Sequence, residues 1–185
     1  IPIDPQTLSY VIRSPEDERY LKDSVAQAKV SNSFAIADVD ISQYDIVFIS
    51  GGWGAAYDLA QSPLMATKVS EAYYGERTAV IGGVCHGVLG LVKAKDKEGN
   101  TLIAGRRMTG VTDKQIKELG IEMTPLHPEA ELRKAGALFE SQTAFRDLFA
   151  THVVVDHEQR FVTGQNQNSG LETAHRMMQV IAGRG

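Results

Sequence analysis

The chain's only cysteine, Cys85, sits in the run Gly83-Val84-Cys85-His86-Gly87. Glycine two places before and two after a nucleophile is the spacing of a strand-turn-helix elbow, here with cysteine where the hydrolase version carries serine. A sharp turn lifts such a side chain out of a sheet, and the flanking glycines leave room for the backbone. A helix that follows aims its amides and positive end at the sulfur, which predicts a shift toward thiolate. His86 is the proton carrier nearest in sequence. It reaches the sulfur only if the elbow holds it there, and a third group must orient the imidazole. Asp113, opening a short helix after Met108-Thr109-Gly110-Val111-Thr112, is a candidate carboxylate. An acidic residue at a helix start also serves as a cap or dipole partner.

A second glycine-rich run, Gly51-Gly52-Trp53-Gly54, ends another strand-like stretch. Ligands of open α/β sheets bind outside the carboxyl ends of strands, so these two strand ends are expected to share a crevice. Backbone N–H groups of Gly52 and His86 would there hold a developing oxyanion, with Gly51 and Trp53 bordering the substrate. The run is not a phosphate loop, because the Gly-Lys-Ser/Thr ending is missing. His127-Pro128-Glu129 has the His-x-Glu form of a cysteine glutaminase triad, yet it opens a predicted helix and reads as a loop and helix start. His157 falls in a turn, and His152 and His175 read as surface or core residues. No cluster has metal-ligand spacing, so no metal and no cofactor is expected.

The elements around these residues alternate between strand-like and helical, the pattern of an α/β layer fold with a mostly parallel sheet. Helical spacing covers Glu16 to Lys29. Asp45 to Ser50 reads as a strand buried on both faces. A helix from Pro63 to Tyr74 has Ser62 as N-cap and Pro63 at its first position. Thr78 to Val84 is a second buried strand, followed by Cys85 and an apolar helix to about Ala94. Asp96 to Asn100 is a polar turn. Short helices span Asp113 to Leu119, with Gly120 beyond, and Pro128 to Ala135, stopped by Gly136. His152 to Asp156 and Arg160 to Thr163 form a hairpin. Gln165 to Ser169 leads into a last helix from Gly170 to Ile181, capped by Asn168 or Ser169, in which Met177-Met178 reads as core packing.

Composition narrows the function classes. The 185 residues carry a net charge of -4 with no basic stripe, which disfavours nucleic acid as partner. No apolar run approaches the roughly 18 residues needed to cross a bilayer, so no membrane span is expected. One cysteine permits no intrachain disulfide and suits a reducing compartment, with the cytoplasm as the expected location. The chain opens Ile1-Pro2-Ile3-Asp4-Pro5, without an initiator methionine or a signal-peptide pattern. Length and the lack of repeats predict a single domain over 1–185.

In combination, four runs resemble the DJ-1/PfpI superfamily: Ile46 to Asp58, the elbow itself, Thr109 to Gln115, and Phe161 to Asn166. Pro2-Ile3-Asp4-Pro5 is similar to its Hsp31-like branch. The resemblance implies a flavodoxin-like three-layer sandwich with a mostly parallel central sheet, usually dimeric. It implies Cys85 as nucleophile, His86 as its neighbour, Gly52 and the His86 amide as oxyanion donors, and Asp113 as the acid completing a triad. Three departures stand out. Nothing here reads as the family's first strand and the glutamate that follows it, so the domain is expected to lack its N-terminal strand. Trp53 stands where many relatives have histidine, and Gln167 replaces a common proline. The implied activity is metal- and glutathione-independent conversion of small reactive carbonyls such as methylglyoxal, of glyoxalase III or deglycase type. The alternatives are a stress-related holding chaperone, a redox sensor using Cys85, and an amidase or peptidase, which would need His127 and Glu129 beside the cysteine.

Overall fold

The computed structural model describes residues 15–121 and 123–184; the Pro2-Ile3-Asp4-Pro5 run lies outside them. Two compact units divide the chain after Val39. In the first, α1 (Pro15–Lys22) and α2 (Ser24–Ser31) replace the single helix expected over Glu16 to Lys29. Asp23 makes the division. Its carboxylate accepts hydrogen bonds from the amides of Val25 and Ala26, at 3.0 and 2.9 Å, and so starts a new helix instead of continuing the old one. The apolar spacing does not produce a buried face either: neither helix contains a buried residue, and Val25 is 64% exposed.

The second unit holds the strands β1 (Ile46–Ile49), β2 (Val80–Val84), β3 (Arg107–Met108), β4 (Leu138–Phe139), β5 (Val153–Val155) and β6 (Phe161–Gly164). Its helices are α3 (Ala55–Asp58), α4 (Pro63–Tyr74), α5 (Asp113–Glu118), α6 (Pro128–Lys134) and α7 (Gly170–Ala182). The main sheet has the order β1-β2-β6-β5. β1, β2 and β6 run parallel, and β5 is antiparallel to β6 as the expected hairpin requires. Alternate residues of β2 feed the two faces. Ile81 joins a core with Val69, Leu89 and Phe161, while Val80 packs with Val162 and Met177 beneath α7. This is a three-layer α/β arrangement, with α7 on one face and α4 and the segment after Cys85 on the other.

Local chemistry explains the best-defined ends. The Ser62 hydroxyl accepts from the Met65 amide at 3.1 Å, with Pro63 at the first helical position of α4, as predicted. Four readings need correction. β1 is not buried on both faces: among the described residues it pairs only with β2, and Phe48 is 37% exposed. The apolar stretch after Cys85 is a 3-10 helix, Cys85–Leu91, in place of an α-helix. Ser169 precedes α7 without capping it, because its hydroxyl donates to Asn166 Oδ1 at 3.2 Å and accepts from the His152 amide. Asn168 is not the cap; its amide donates to the Leu148 carbonyl. Of the methionine pair, only Met177 is buried; Met178 is 51% exposed.

Two polar clusters tie the loops to this frame. Buried Arg106 donates to Asp156 at 2.5 Å and to Tyr73 Oη and Glu158, each at 2.7 Å. Buried Asp147 accepts from Thr112 at 2.8 Å, Lys114 at 2.9 Å and Thr143 at 2.8 Å. That second cluster fastens the loop before β5 to the start of α5.

Candidate active site

Strand register brings the glycine loop to the cysteine. Ile49 of β1 pairs with Gly83 of β2, and Val84 pairs with Gly164 of β6, so three strands end along one edge of the sheet. Cys85 follows β2 directly and takes a φ of 58°, a left-handed backbone that a residue with a side chain holds only under strain. The turn is held because the chain is packed tightly on both sides. A Cβ at Gly87 would lie 2.2 Å from the Ile49 carbonyl oxygen and 2.8 Å from that of Ser50. Gly51 is also closely packed, with the position of a Cβ 2.6 Å from the Val84 carbonyl oxygen and 2.9 Å from Cys85 Cβ.

The Cys85 sulfur is 3.3 Å from Nδ1 of His86. The backbone N–H groups of Gly52 and His86 also reach it. Gly52 has a φ of 116°, the glycine-favoured conformation that turns its amide inward. Trp53 forms the wall beside the imidazole, with ring centroids 4.9 Å apart and planes at 54°. These five residues, Gly51, Gly52, Trp53, Cys85 and His86, therefore form one group.

Electrostatics depart from the sequence expectation at the sulfur. Burial pushes the Cys85 thiol up, against the two backbone hydrogen bonds that pull it down. The resting group is a thiol, because a short 3-10 helix in a dry site offsets little of the cost of burying a thiolate. His86 is shifted too, down to about 4, first by burial and then by the charge of His127. It is 2% exposed, and its Nε2 is buried without a hydrogen-bond partner among the described residues. The resting pair is thus neutral thiol and neutral imidazole.

Asp113 stands apart from that pair. It is the first residue of α5, as expected, with Thr112 as the N-cap whose hydroxyl accepts from the Gln115 amide. Its carboxylate is bonded to His127 Nδ1 at 3.1 Å, not to His86. His127, which the sequence places at a helix start, is indeed the residue before α6. The only signal pointing further was that two consecutive short helices each begin with a group able to pair with the other. Glu129 accepts from the Asp113 amide at 3.1 Å and from Arg133 at 2.9 Å. His157 is exposed beside Glu158, and His152 lies 4.0 Å from Glu140. Among the described residues no three acidic, histidine or cysteine side chains converge as a metal site.

The chain is 25% identical over 181 residues to the probable glutathione-independent glyoxalase hsp3104 of Schizosaccharomyces pombe, covering 92% of this chain and 77% of that protein. It is 29% identical over 147 residues to glyoxalase 3 of Candida albicans, covering 75% of this chain and 58% of the other. Among solved structures, Rapid Encystment Protein 24 KDa of Francisella tularensis superposes with a TM-score of 0.84 at 29% identity, covering 97% of this chain and 76% of that one. Glyoxalase III of Candida albicans superposes with a TM-score of 0.74 at 25% identity, over 96% and 74% of the two chains. The DJ-1/PfpI family profile matches residues 9–179, and the chain belongs to the DJ-1/PfpI family.

Proposed function

We propose that this protein is a cysteine-dependent, glutathione-independent glyoxalase that converts methylglyoxal and similar 2-oxoaldehydes to 2-hydroxy acids. The observation that carries the reading is the Cys85 sulfur, 3.3 Å from the His86 imidazole and met by two backbone N–H groups. Relatives named as a probable glutathione-independent glyoxalase and as glyoxalase 3 support it. The substrate's aldehyde carbon accepts the sulfur of Cys85 as a new S–C bond forms. The thiol proton passes to His86 Nδ1 and on to the aldehyde oxygen, giving a hemithioacetal. Gly52 and His86 amides steady the negative charge on that oxygen during addition. A proton then leaves the former aldehyde carbon and another arrives at the neighbouring ketone carbon, through an enediol, leaving a thioester. Water cleaves the thioester and restores the thiol. One carbon is oxidised and its neighbour reduced, so no outside oxidant or reductant is needed. The protein's own thiol takes the place of glutathione.

Deglycation of early amine adducts begins with the same addition to a carbonyl carbon. The reading also takes the protein as a homodimer, the state usual in the family, acting in the cytoplasm. No helix among the described residues is long and apolar enough to cross a membrane. Its test is lactate formation from methylglyoxal without glutathione, measured beside Cys85→Ala. Wild-type turnover that disappears in the variant is expected; a wild type that makes no lactate rejects the reading.

A further inference from the structure

His86 can take a proton from sulfur but is badly placed to keep it. The imidazolium would be buried, no carboxylate among the described residues reaches its Nε2, and burial together with His127 holds its titration down to about 4. A reaction that moves protons between two carbons, and then activates water on a thioester, needs a group that can hold a proton near neutral pH. The Asp113–His127 pair places a second imidazole beside a carboxylate. The carboxylate is 3.1 Å from Nδ1, an arrangement that favours the tautomer with hydrogen on Nδ1 and leaves the Nε2 lone pair free to accept a proton. The two side chains are 44% and 40% exposed, so the imidazole meets solvent as well as the carboxylate. The segments that carry them border the elbow. Gly110, three residues before Asp113, lies against Cys85, where a Cβ would be 3.5 Å from its carbonyl oxygen and 3.4 Å from Leu132 of α6. α6 packs on the Cys85–Leu91 segment.

We infer that Asp113 serves this site through His127, and that His127 is its solvent-side proton carrier. The inference rests on the glyoxalase reading above. His86 handles the thiol proton, and His127 accepts a proton from the water that attacks the thioester, returning it to the departing sulfur. Asp113 is then a positioning residue. Glu129 does not compete for the imidazole, because its oxygens are taken by the Asp113 amide and by Arg133.

The test is steady-state kinetics of His127→Gln, Asp113→Asn and the double variant on methylglyoxal, with His127→Ala assayed with and without added imidazole. Loss of a general base lowers kcat by about 100-fold in His127→Gln, with KM within about twofold of wild type. Asp113→Asn lowers kcat by about 10-fold alone and adds nothing in the His127→Gln background, and imidazole restores part of the His127→Ala rate. Because glutamine is close to histidine in size and the site is half-exposed, near-UV circular dichroism of His127→Gln stays that of wild type. Undiminished turnover in His127→Gln, or an equal Asp113→Asn penalty with and without His127, overturns the inference while leaving the glyoxalase reading intact. Absence of lactate in the wild type itself overturns both.

Discussion

Nδ1 of His86 lies 3.3 Å from the sulfur of Cys85, while Nε2 of the same ring is buried with no partner among the described residues. One side of the imidazole faces the chemistry and the other is dry. That asymmetry makes His86 a transient proton acceptor, and it carries a cost in acid. The unfolded chain protonates this histidine near 6.5, the folded protein only at about 4. Between those values the unfolded state binds more protons, so stability falls as pH drops from 6.5 to 4, by on the order of 3 kcal/mol from this group. Denaturant titrations of wild type and His86→Gln across that window check the sign. The variant should show a smaller acid loss, and an equal one would contradict the assignment.

The elbow glycines separate packing from chemistry. In Gly87→Ala the new methyl group meets backbone oxygens at 2.2 and 2.8 Å, which cannot rotate away. A loss of about 3 kcal/mol or more, or failure to fold, is expected from thermal or urea melts. Gly52→Ala meets no atom within 4 Å and is strained only by its φ of 116°. It should fold with a loss of about 1–3 kcal/mol. Its amide would turn from the reacting oxygen and lower kcat by roughly 10- to 1,000-fold. A Gly87→Ala protein melting like wild type would show that the strands do not press on the elbow as described.

Asp147 should act as a stability group at the start of α5. Burial raises its carboxyl, but bonds from Lys114, Thr112, Thr143 and the Ala144 amide outweigh that and hold it at about 2. Its contribution is therefore fully present above 3.8 and lost as pH falls through 2. Asp147→Asn should cost about 2 kcal/mol at neutral pH, leave KM unchanged, and speed proteolysis of the loop around Phe145. Equal urea midpoints for variant and wild type at pH 7 would show that the cluster is not holding the loop.

What could be read from the sequence was what local chemistry decides. The glycines around Cys85, Ser62 and Pro63 at α4, and the turn between β5 and β6 each specify their backbone without distant help. The meeting of Gly52 with Cys85 followed from two strands ending in glycine-rich runs. Other features depend on contacts that no spacing encodes. Asp23 divides a helix because its side chain outcompetes the next turn. The Cys85 thiol is raised because the burial around it outweighs the dipole expected from a helix. Asp113 meets His127 because the starts of α5 and α6 come together in space, although 14 residues separate them.

The central claim is that Cys85 carries the substrate as a covalent adduct. The most direct measurement is mass spectrometry of the protein quenched during turnover of methylglyoxal, with the Cys85 peptide isolated. The expected result is a mass gain of one methylglyoxal on Cys85 that rises within the first turnover and decays as lactate is released, with none in Cys85→Ala. Lactate formed at the wild-type rate by Cys85→Ala, or turnover with the Cys85 peptide never modified, would contradict it.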